Sequence, residues 1–69
     1  MAPEHAEAIR RVYPRVLAKV LGVTRSPADA EDAVHDAVER ALQSWGDTGA
    51  PESAEAWLIT VAQNAHRDR

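Results

Sequence analysis

The sequence contains no cysteine and only three glycines among its 69 residues. Without cysteine, neither a disulfide framework nor a thiolate metal site can form. The glycines are too few and too scattered for a phosphate-binding loop. No apolar run approaches the ~20 residues of a membrane-spanning helix, and the N-terminus lacks the charged-then-apolar pattern of a signal peptide. These absences predict a soluble, cytoplasmic protein that does not contact a membrane.

Length and residue pattern then bound the fold. A chain this short makes one domain, residues 1–69, with no room for a second. Such a domain buries only ~60% of the surface that its unfolded chain exposes, so we expect its stability to be marginal. The period-two alternation of half-buried strands is absent. The predicted fold class is therefore all-α.

Charge is unevenly distributed along the chain. The net charge of −3 weighs against a simple nucleic-acid binder. Residues 1–25 hold five basic and two acidic residues, whereas residues 26–52 hold one basic and seven acidic residues. Residues 53–69 are balanced, with two of each. Such zoning indicates more than one kind of contact with partners.

Three apolar stripes with helical spacing predict a compact three-helix bundle. We expect the helices at about residues 4–21, 27–45 and 54–68. The stripes consist of Ile9, Val12, Tyr13, Val16, Leu17, Val20 and Leu21 in the first helix, of Ala30, Ala33, Val34, Ala37, Val38, Ala41, Leu42 and Trp45 in the second, and of Trp57, Leu58, Val61, Ala62 and Ala65 in the third.

Proline and glycine mark the expected irregularities and ends of these helices. Pro14 removes a hydrogen bond to the carbonyl four residues back, so a kink near residues 10–14 is expected. The stripe keeps its phase across the proline, which favours a kink over a break. Gly22 is expected to end the first helix as a left-handed cap, and Gly46 to mark the end of the second. Residues 46–53 then form a loop by composition.

Two serines are expected to cap helices at their N-termini. Ser26 precedes Pro27, which suits a first helical position, and Asp29 completes a pattern like a capping box. Ser53 caps the third helix in the same way, with Glu55 near its positive end. Ile59 and Thr60 fall off the third stripe. That helix therefore has either a wide buried face or a second, exposed working face.

One face of the second helix is strongly acidic, while the other carries small apolar residues. Its polar members are Asp29, Asp32, His35, Asp36 and Glu39. Both solubility and docking of a basic partner explain such a face, and periodicity alone leaves the two open. Asp32 and His35 have the spacing of a carboxylate–histidine metal pair, but no ligands on the other helices converge with them. No Ser–His–Asp arrangement stands out either, so we expect no enzyme activity, no metal and no cofactor.

The two tryptophans bracket the predicted loop. Trp45 lies at the expected end of the second helix, and Trp57 opens the third. One interpretation is core packing, in which a large ring covers one end of the bundle. The other is an aromatic platform on which an unstacked base rests. Both can hold together, because a tryptophan is rarely fully buried.

A series of short motifs carries a family resemblance. They are Tyr13-Pro14-Arg15-Val16-Leu17, Leu21-Gly22, Asp29-Ala30-Glu31-Asp32-Ala33-Val34, Ala41-Leu42 with Trp45, Ala56-Trp57-Leu58, and Thr60-Val61-Ala62 with Asn64 and Asp68. In this order and spacing, over about residues 6–69, the chain resembles region 2 of bacterial RNA polymerase sigma factors of the extracytoplasmic-function (ECF) group. It departs from that pattern at His35, Asp36 and Val38. It departs again at Gln63 and Ala65, where the family often has arginines.

The resemblance implies a role in transcription initiation with RNA polymerase as the main partner. The domain would dock on the coiled-coil clamp helices of the polymerase's largest subunit. Those helices present arginines, which pair with carboxylates through bidentate, charge-assisted hydrogen bonds. The implied polymerase-binding residues are Asp29, Glu31, Asp32, His35, Asp36, Glu39 and Arg40. An anti-sigma factor is a further partner that the family admits.

The resemblance also implies recognition and melting of the promoter −10 element. A flipped base of the single-stranded non-template strand would enter a pocket made by the loop. The implied DNA-binding residues are Trp45, Gly46, Asp47, Thr48, Gly49, Trp57, Thr60, Gln63, Asn64 and Arg67. Four of them share one side of the third helix at spacings of three and four, where amide groups can read base edges.

Two further expectations complete the interpretation. Sigma factors continue into a second helical domain that reads the −35 element, so this chain is expected to be a fragment of a longer two-domain protein. The alternative to a sigma-factor domain is an acidic helical protein-interaction bundle that never contacts DNA. That alternative explains the acidic helix equally well, but it gives no role to the polar row on the third helix.

Overall fold

The computed structural model describes residues 3–68, and this part of the chain is a bundle of three α-helices. Helix α1 spans Pro3–Thr24, α2 spans Pro27–Thr48 and α3 spans Ala54–Arg67. Each helix packs against both of the others, which confirms the predicted all-α three-helix bundle. Residues 1, 2 and 69, which the predicted domain includes, lie outside the described residues. No helix within residues 3–68 is both long enough and apolar enough to cross a membrane.

The predicted end of α1 is wrong. The helix runs through Gly22 to Thr24, and Arg25 adopts the left-handed conformation with φ of 58°. The Arg25 N–H donates to the Leu21 carbonyl at 2.8 Å, so the last turn of the helix stays hydrogen-bonded. A non-glycine residue in this conformation costs roughly 1–2 kcal/mol. The α1–α2 turn therefore carries local strain that a glycine at position 25 would relieve.

The predicted end of α2 is also wrong, and the predicted loop is shorter than expected. Gly46 is helical, and the helix continues to Thr48. Gly49 is the cap instead, with φ of 84° and an N–H that donates to the Trp45 carbonyl at 2.9 Å. The Thr48 hydroxyl donates to the Ser44 carbonyl at 2.9 Å. Only the glycine at position 49 meets the need for a positive φ, so the connection comprises residues 49–53.

Both predicted N-caps are confirmed. Ser26 Oγ accepts the Asp29 N–H at 3.4 Å, and Ser53 Oγ accepts the Ala56 N–H at 3.1 Å. The Ser26 N–H donates to Thr24 Oγ1 at 3.2 Å, so a neighbouring hydroxyl takes the place of the second half of a capping box. These bonds satisfy N–H groups that a helix leaves without intrahelical partners.

The core follows the three stripes with two exceptions. Its buried residues are Ile9, Val16, Val20, Ala30, Ala33, Val34, Ala37, Ala41, Trp45, Leu58, Ala62 and Ala65. Leu21 and Leu42 were expected in the core, but they are 37% and 45% exposed. Both lie in the last two turns of their helices, and the buried alanines and valines of α1 and α2 complete the core without them.

The structure shows how many faces α3 uses and whether α1 breaks at Pro14. Ile59 is partly buried and packs against the core, whereas Thr60 is exposed. The third helix therefore has both a wide buried face and an exposed polar face. Helix α1 is continuous through Pro14, which agrees with the expected absence of a break. The kink itself stays a prediction.

Candidate functional site

Three aromatic rings lie in series at one end of the bundle. The Trp45 and Trp57 rings meet edge to face, with centroids 5.2 Å apart and planes at 69°. On the other side of Trp45, the His5 ring lies 5.9 Å away at 85°. Such contacts between aromatic rings contribute about 0.5–1.5 kcal/mol each beyond the area they bury. The aromatic cluster of His5, Trp45 and Trp57 thus joins the start of α1 to the end of α2 and the start of α3.

The cluster holds its central ring by packing alone. Trp45 is 2% exposed, and neither its Nε1 nor His5 Nδ1 has a hydrogen-bond partner within the described residues. An unmet buried polar group costs about 1–3 kcal/mol. Burial at this cost supports the core interpretation of Trp45, since a base could stack on its ring only after the ring had left the core. The sequence assigns no role to His5, and nothing in its spacing marks the contact with Trp45.

A groove opens beside the aromatic cluster, where the 49–53 connection meets the first two turns of α3. Its lining residues are Pro51, Glu52, Ser53, Ala56, Trp57, Thr60 and Val61, and its volume is about 440 Å³. The groove is largely open to solvent, so a ligand would rest against it and would not be enclosed. The lining combines one large ring with one carboxylate and two hydroxyls. A flat, partly polar group such as a nucleobase fits this chemistry.

The polar row predicted on α3 is exposed and continues from the groove. Thr60, Asn64 and Arg67 are exposed, and Gln63 is half-buried. Arg67 Nη2 donates to Asn64 Oδ1 at 2.7 Å, which orients the amide and leaves its N–H groups as donors. Thr60 belongs both to the row and to the groove lining. The groove and the row therefore form one continuous surface.

The acidic face of α2 shares no residue with that surface. Six of its seven implied polymerase-binding residues are exposed, namely Asp29, Glu31, Asp32, His35, Glu39 and Arg40, and Asp36 is half-buried. Within residues 3–68, no three side chains of types that ligate metals come close enough to share an ion. The chemistry available on this face is that of exposed carboxylates, which attract and pair with basic groups.

The structure brings together only some of the expected DNA-binding residues. Trp57 and Thr60 line the groove, whereas Gly46, Asp47 and Thr48 form the exposed last turn of α2. Sequence reasoning missed Glu52 as a groove residue and gave Ser53 only its capping role. The loop composition of residues 46–53 was the available signal, but it did not show which half of the segment would be helical.

An ion pair across the bundle was also absent from the sequence interpretation. Arg15 Nε donates to Glu55 Oε1 at 2.6 Å and links α1 to α3. The Arg15 side chain is 62% exposed and that of Glu55 is 28% exposed. Their separation of 40 positions leaves no local sequence signal for the contact. The pair fixes α1 against the first turn of α3, next to the groove residue Ala56.

The described residues thus form a small helical domain with an exposed acidic face and an aromatic groove. The family model described as sigma-70 region 2 matches residues 8–69. The chain therefore belongs to the sigma-70 region 2 family, a domain family of sigma factors, which act in transcription initiation. The resemblance to region 2 of sigma factors is confirmed.

One curated relative is an uncharacterised protein of Rhizobium meliloti (strain 1021). It is 38% identical over 62 residues, which cover 90% of this chain and 15% of the relative. The chain thus spans about 15% of the length of that relative. No solved structure matches the chain.

Proposed function

We propose that this chain is the promoter-recognition domain of a sigma factor of the ECF group. In this role it docks on the clamp coiled coil of the largest RNA polymerase subunit and engages the melted −10 element. Its site of action is then the cytoplasm, and the chain is part of a longer protein with a −35-binding domain. The observation that carries the proposal is the continuous surface of groove and polar row on α3, which shares no residue with the acidic face of α2.

The groove supports the DNA half of the proposal. A base released from its stack can enter beside Trp57, with the hydroxyls of Ser53 and Thr60 and the Glu52 carboxylate at its edge. Stacking of a base on an aromatic side chain contributes about 1–3 kcal/mol. Asn64 and Gln63 add donors and acceptors for base edges further along α3. Trp45 enters the proposal as the support of Trp57, because its own ring is buried.

The acidic face supports the docking half of the proposal. Exposed ion pairs contribute only about 0.2–1 kcal/mol each, so docking needs several carboxylates acting together. The exposed members of the face supply four of them. An anti-sigma factor would compete for the polymerase by covering the same residues. A protein-interaction bundle without DNA contact shares the acidic face but leaves the groove and the polar row unused.

The DNA half is tested by promoter melting with the chain assembled on RNA polymerase core. Trp57→Ala and Asn64→Ala are each expected to reduce melting, detected by single-strand footprinting of the −10 region. Loss of one stacked base, about 1–3 kcal/mol, corresponds to a roughly 5- to 150-fold weaker open complex. The matched control is Leu42→Ala, which removes an exposed apolar side chain away from the groove. Circular dichroism of each variant verifies that the helices remain folded.

Unchanged melting by both groove-side variants would contradict the DNA half. If polymerase binding persisted in that case, the protein-interaction bundle would become the better description.

A further inference from the structure

Helix α1 carries an exposed row of cationic side chains to which the proposed function assigns no role. Arg11, Arg15 and Lys19 follow one another at four-residue spacing and are all exposed. Residues four apart lie on the same side of a helix, about 6 Å apart along its axis. Arg10 is exposed too, but its Nη1 lies 3.4 Å from Glu7 Oε2. The basic row of Arg11, Arg15 and Lys19 therefore presents three positive charges in a line.

The ion pair with Glu55 sets where this basic row lies. Arg15, its middle member, contacts Glu55 through Nε, and Glu55 sits between the groove residues Ser53 and Ala56 in sequence. The basic row thus borders the first turn of α3, close to the groove. Because the bond to Glu55 uses Nε, both terminal amino groups of the guanidinium remain for another acceptor. The side chain is 62% exposed, so such an acceptor can reach it from solvent.

The charge of the other surfaces favours α1 as the path of a polyanion. Helix α2 carries six acidic residues and one basic residue, so it repels phosphates. On the outer side of α3, Arg67 is the single arginine or lysine within the described residues. A strand that places a base in the groove therefore meets its nearest concentration of positive charge on α1.

We propose that the basic row of α1 binds the sugar-phosphate backbone of the single strand whose base occupies the groove. The inference rests on the proposed function and adds α1 to the DNA-contacting surface. Base stacking in the groove and phosphate neutralisation on the basic row act together, which is the usual combination in single-strand binding. Arg15 shares its guanidinium between Glu55 and a phosphate, while Arg11 and Lys19 act as point charges on either side.

The test is the salt dependence of DNA binding by the chain assembled on RNA polymerase core. The probe is a promoter fragment with a mismatched, permanently open −10 segment. The slope of log K against log salt is expected to become shallower by about 0.7 for Arg11→Gln and again for Lys19→Gln, which is the contribution of one single-strand phosphate contact each. The polymerase contributes equally in every case, so the change in slope belongs to this chain. The matched control is Arg25→Gln, which removes the same charge outside the row and is expected to keep the wild-type slope.

Three results would overturn the inference, and they are distinguishable. If Trp57→Ala weakens binding while Arg11→Gln and Lys19→Gln keep the wild-type slope, the row does not contact phosphate although the proposed function stands. If these variants weaken assembly with the polymerase and leave the slope unchanged, the row faces protein. If the wild-type assembly shows no affinity for the open segment, the proposed function and this inference fail together.

Discussion

Trp45 fills the end of the bundle with a large ring while its indole N–H goes without a partner. Burial of the ring and its edge-to-face contacts with His5 and Trp57 are stabilising, whereas desolvation of the N–H donor is destabilising. The balance shows that shape, rather than hydrogen bonding, selects the residue here. A ring without the N–H is therefore expected to serve almost as well.

Replacing Trp45 by phenylalanine tests this balance. We expect Trp45→Phe to change the free energy of unfolding by no more than about 1.5 kcal/mol, because lost ring area is offset by removal of the unmet donor. Trp45→Ala is expected to cost about 3–5 kcal/mol, enough to unfold much of so small a domain. Urea denaturation followed by circular dichroism measures both. A phenylalanine variant as unstable as the alanine variant would show that the indole N–H has a partner, such as a bound water.

Two of the three glycines sit inside helices, where nothing requires them. A Cβ at Gly22 or at Gly46 would meet no atom within 4 Å. Gly49 also has open space, but its φ of 84° excludes ordinary side chains without strain. The same residue type therefore weakens two helices and caps one of them.

The three glycine-to-alanine variants should separate these roles. We expect Gly22→Ala and Gly46→Ala each to stabilise the domain by about 0.5–1 kcal/mol, since alanine lowers the entropy of the unfolded chain and favours the helix. Gly49→Ala is expected to destabilise by about 1–2 kcal/mol. In a domain of this size each kcal/mol shifts the melting temperature by about 4–8 °C, so thermal unfolding resolves the three. Equal effects at positions 46 and 49 would refute the assignment of the cap.

The proposed docking of the acidic face of α2 on the polymerase can be tested by reversing one of its charges. Glu39→Lys is expected to weaken binding to the isolated clamp coiled coil at least fivefold at low salt, because one attractive contact becomes a repulsive one. High salt should shrink the difference. Glu4→Lys makes the same charge change on the exposed start of α1 and should leave affinity unchanged in a calorimetric titration. Equal affinities of the Glu39 variant and the wild type at low salt would contradict the docking role.

Much of the fold could be predicted because helical periodicity is a local property. The three apolar stripes predicted the three helices, and Ser26 and Ser53 correctly marked the N-termini of α2 and α3. The helix ends were harder to predict, because Gly22, Gly46 and Gly49 look alike in sequence. Only the backbone geometry shows that Gly49 is the cap. Contacts between distant positions, such as Arg15 with Glu55 and His5 with Trp45, depend on how the helices cross. The groove was missed in part for the same reason.

At the scale of the whole molecule, charge is sorted by helix. The basic row lies on α1, and six of the acidic residues lie on α2. Carboxylates three or four positions apart on one helix repel each other, and Asp29, Asp32, Asp36 and Glu39 follow one another at that spacing on α2. Repulsion within α2 therefore lowers the stability of the fold. It acts on a surface whose charge a basic partner would neutralise.

This cost predicts an unusual response to salt. Raising the salt concentration from about 0.01 M to about 1 M shortens the screening length from ~30 Å to ~3 Å. We expect the melting temperature to rise by several degrees, roughly the effect of about 1 kcal/mol in a domain of this size. The Glu39→Gln variant removes the like-charge contact with Asp36, three positions back, and should respond less. A melting temperature that falls with salt would show that attraction between the helices outweighs repulsion within α2.

The aromatic cluster has a last consequence for how the molecule can be observed. The chain has two tryptophans, and both belong to that cluster, one buried and one bordering the groove. Nearly all of its ultraviolet emission therefore originates at a single end of the bundle. The protein carries a built-in optical probe at the place where a base would enter, while the start of α2 and the turn at Arg25 contain no tryptophan.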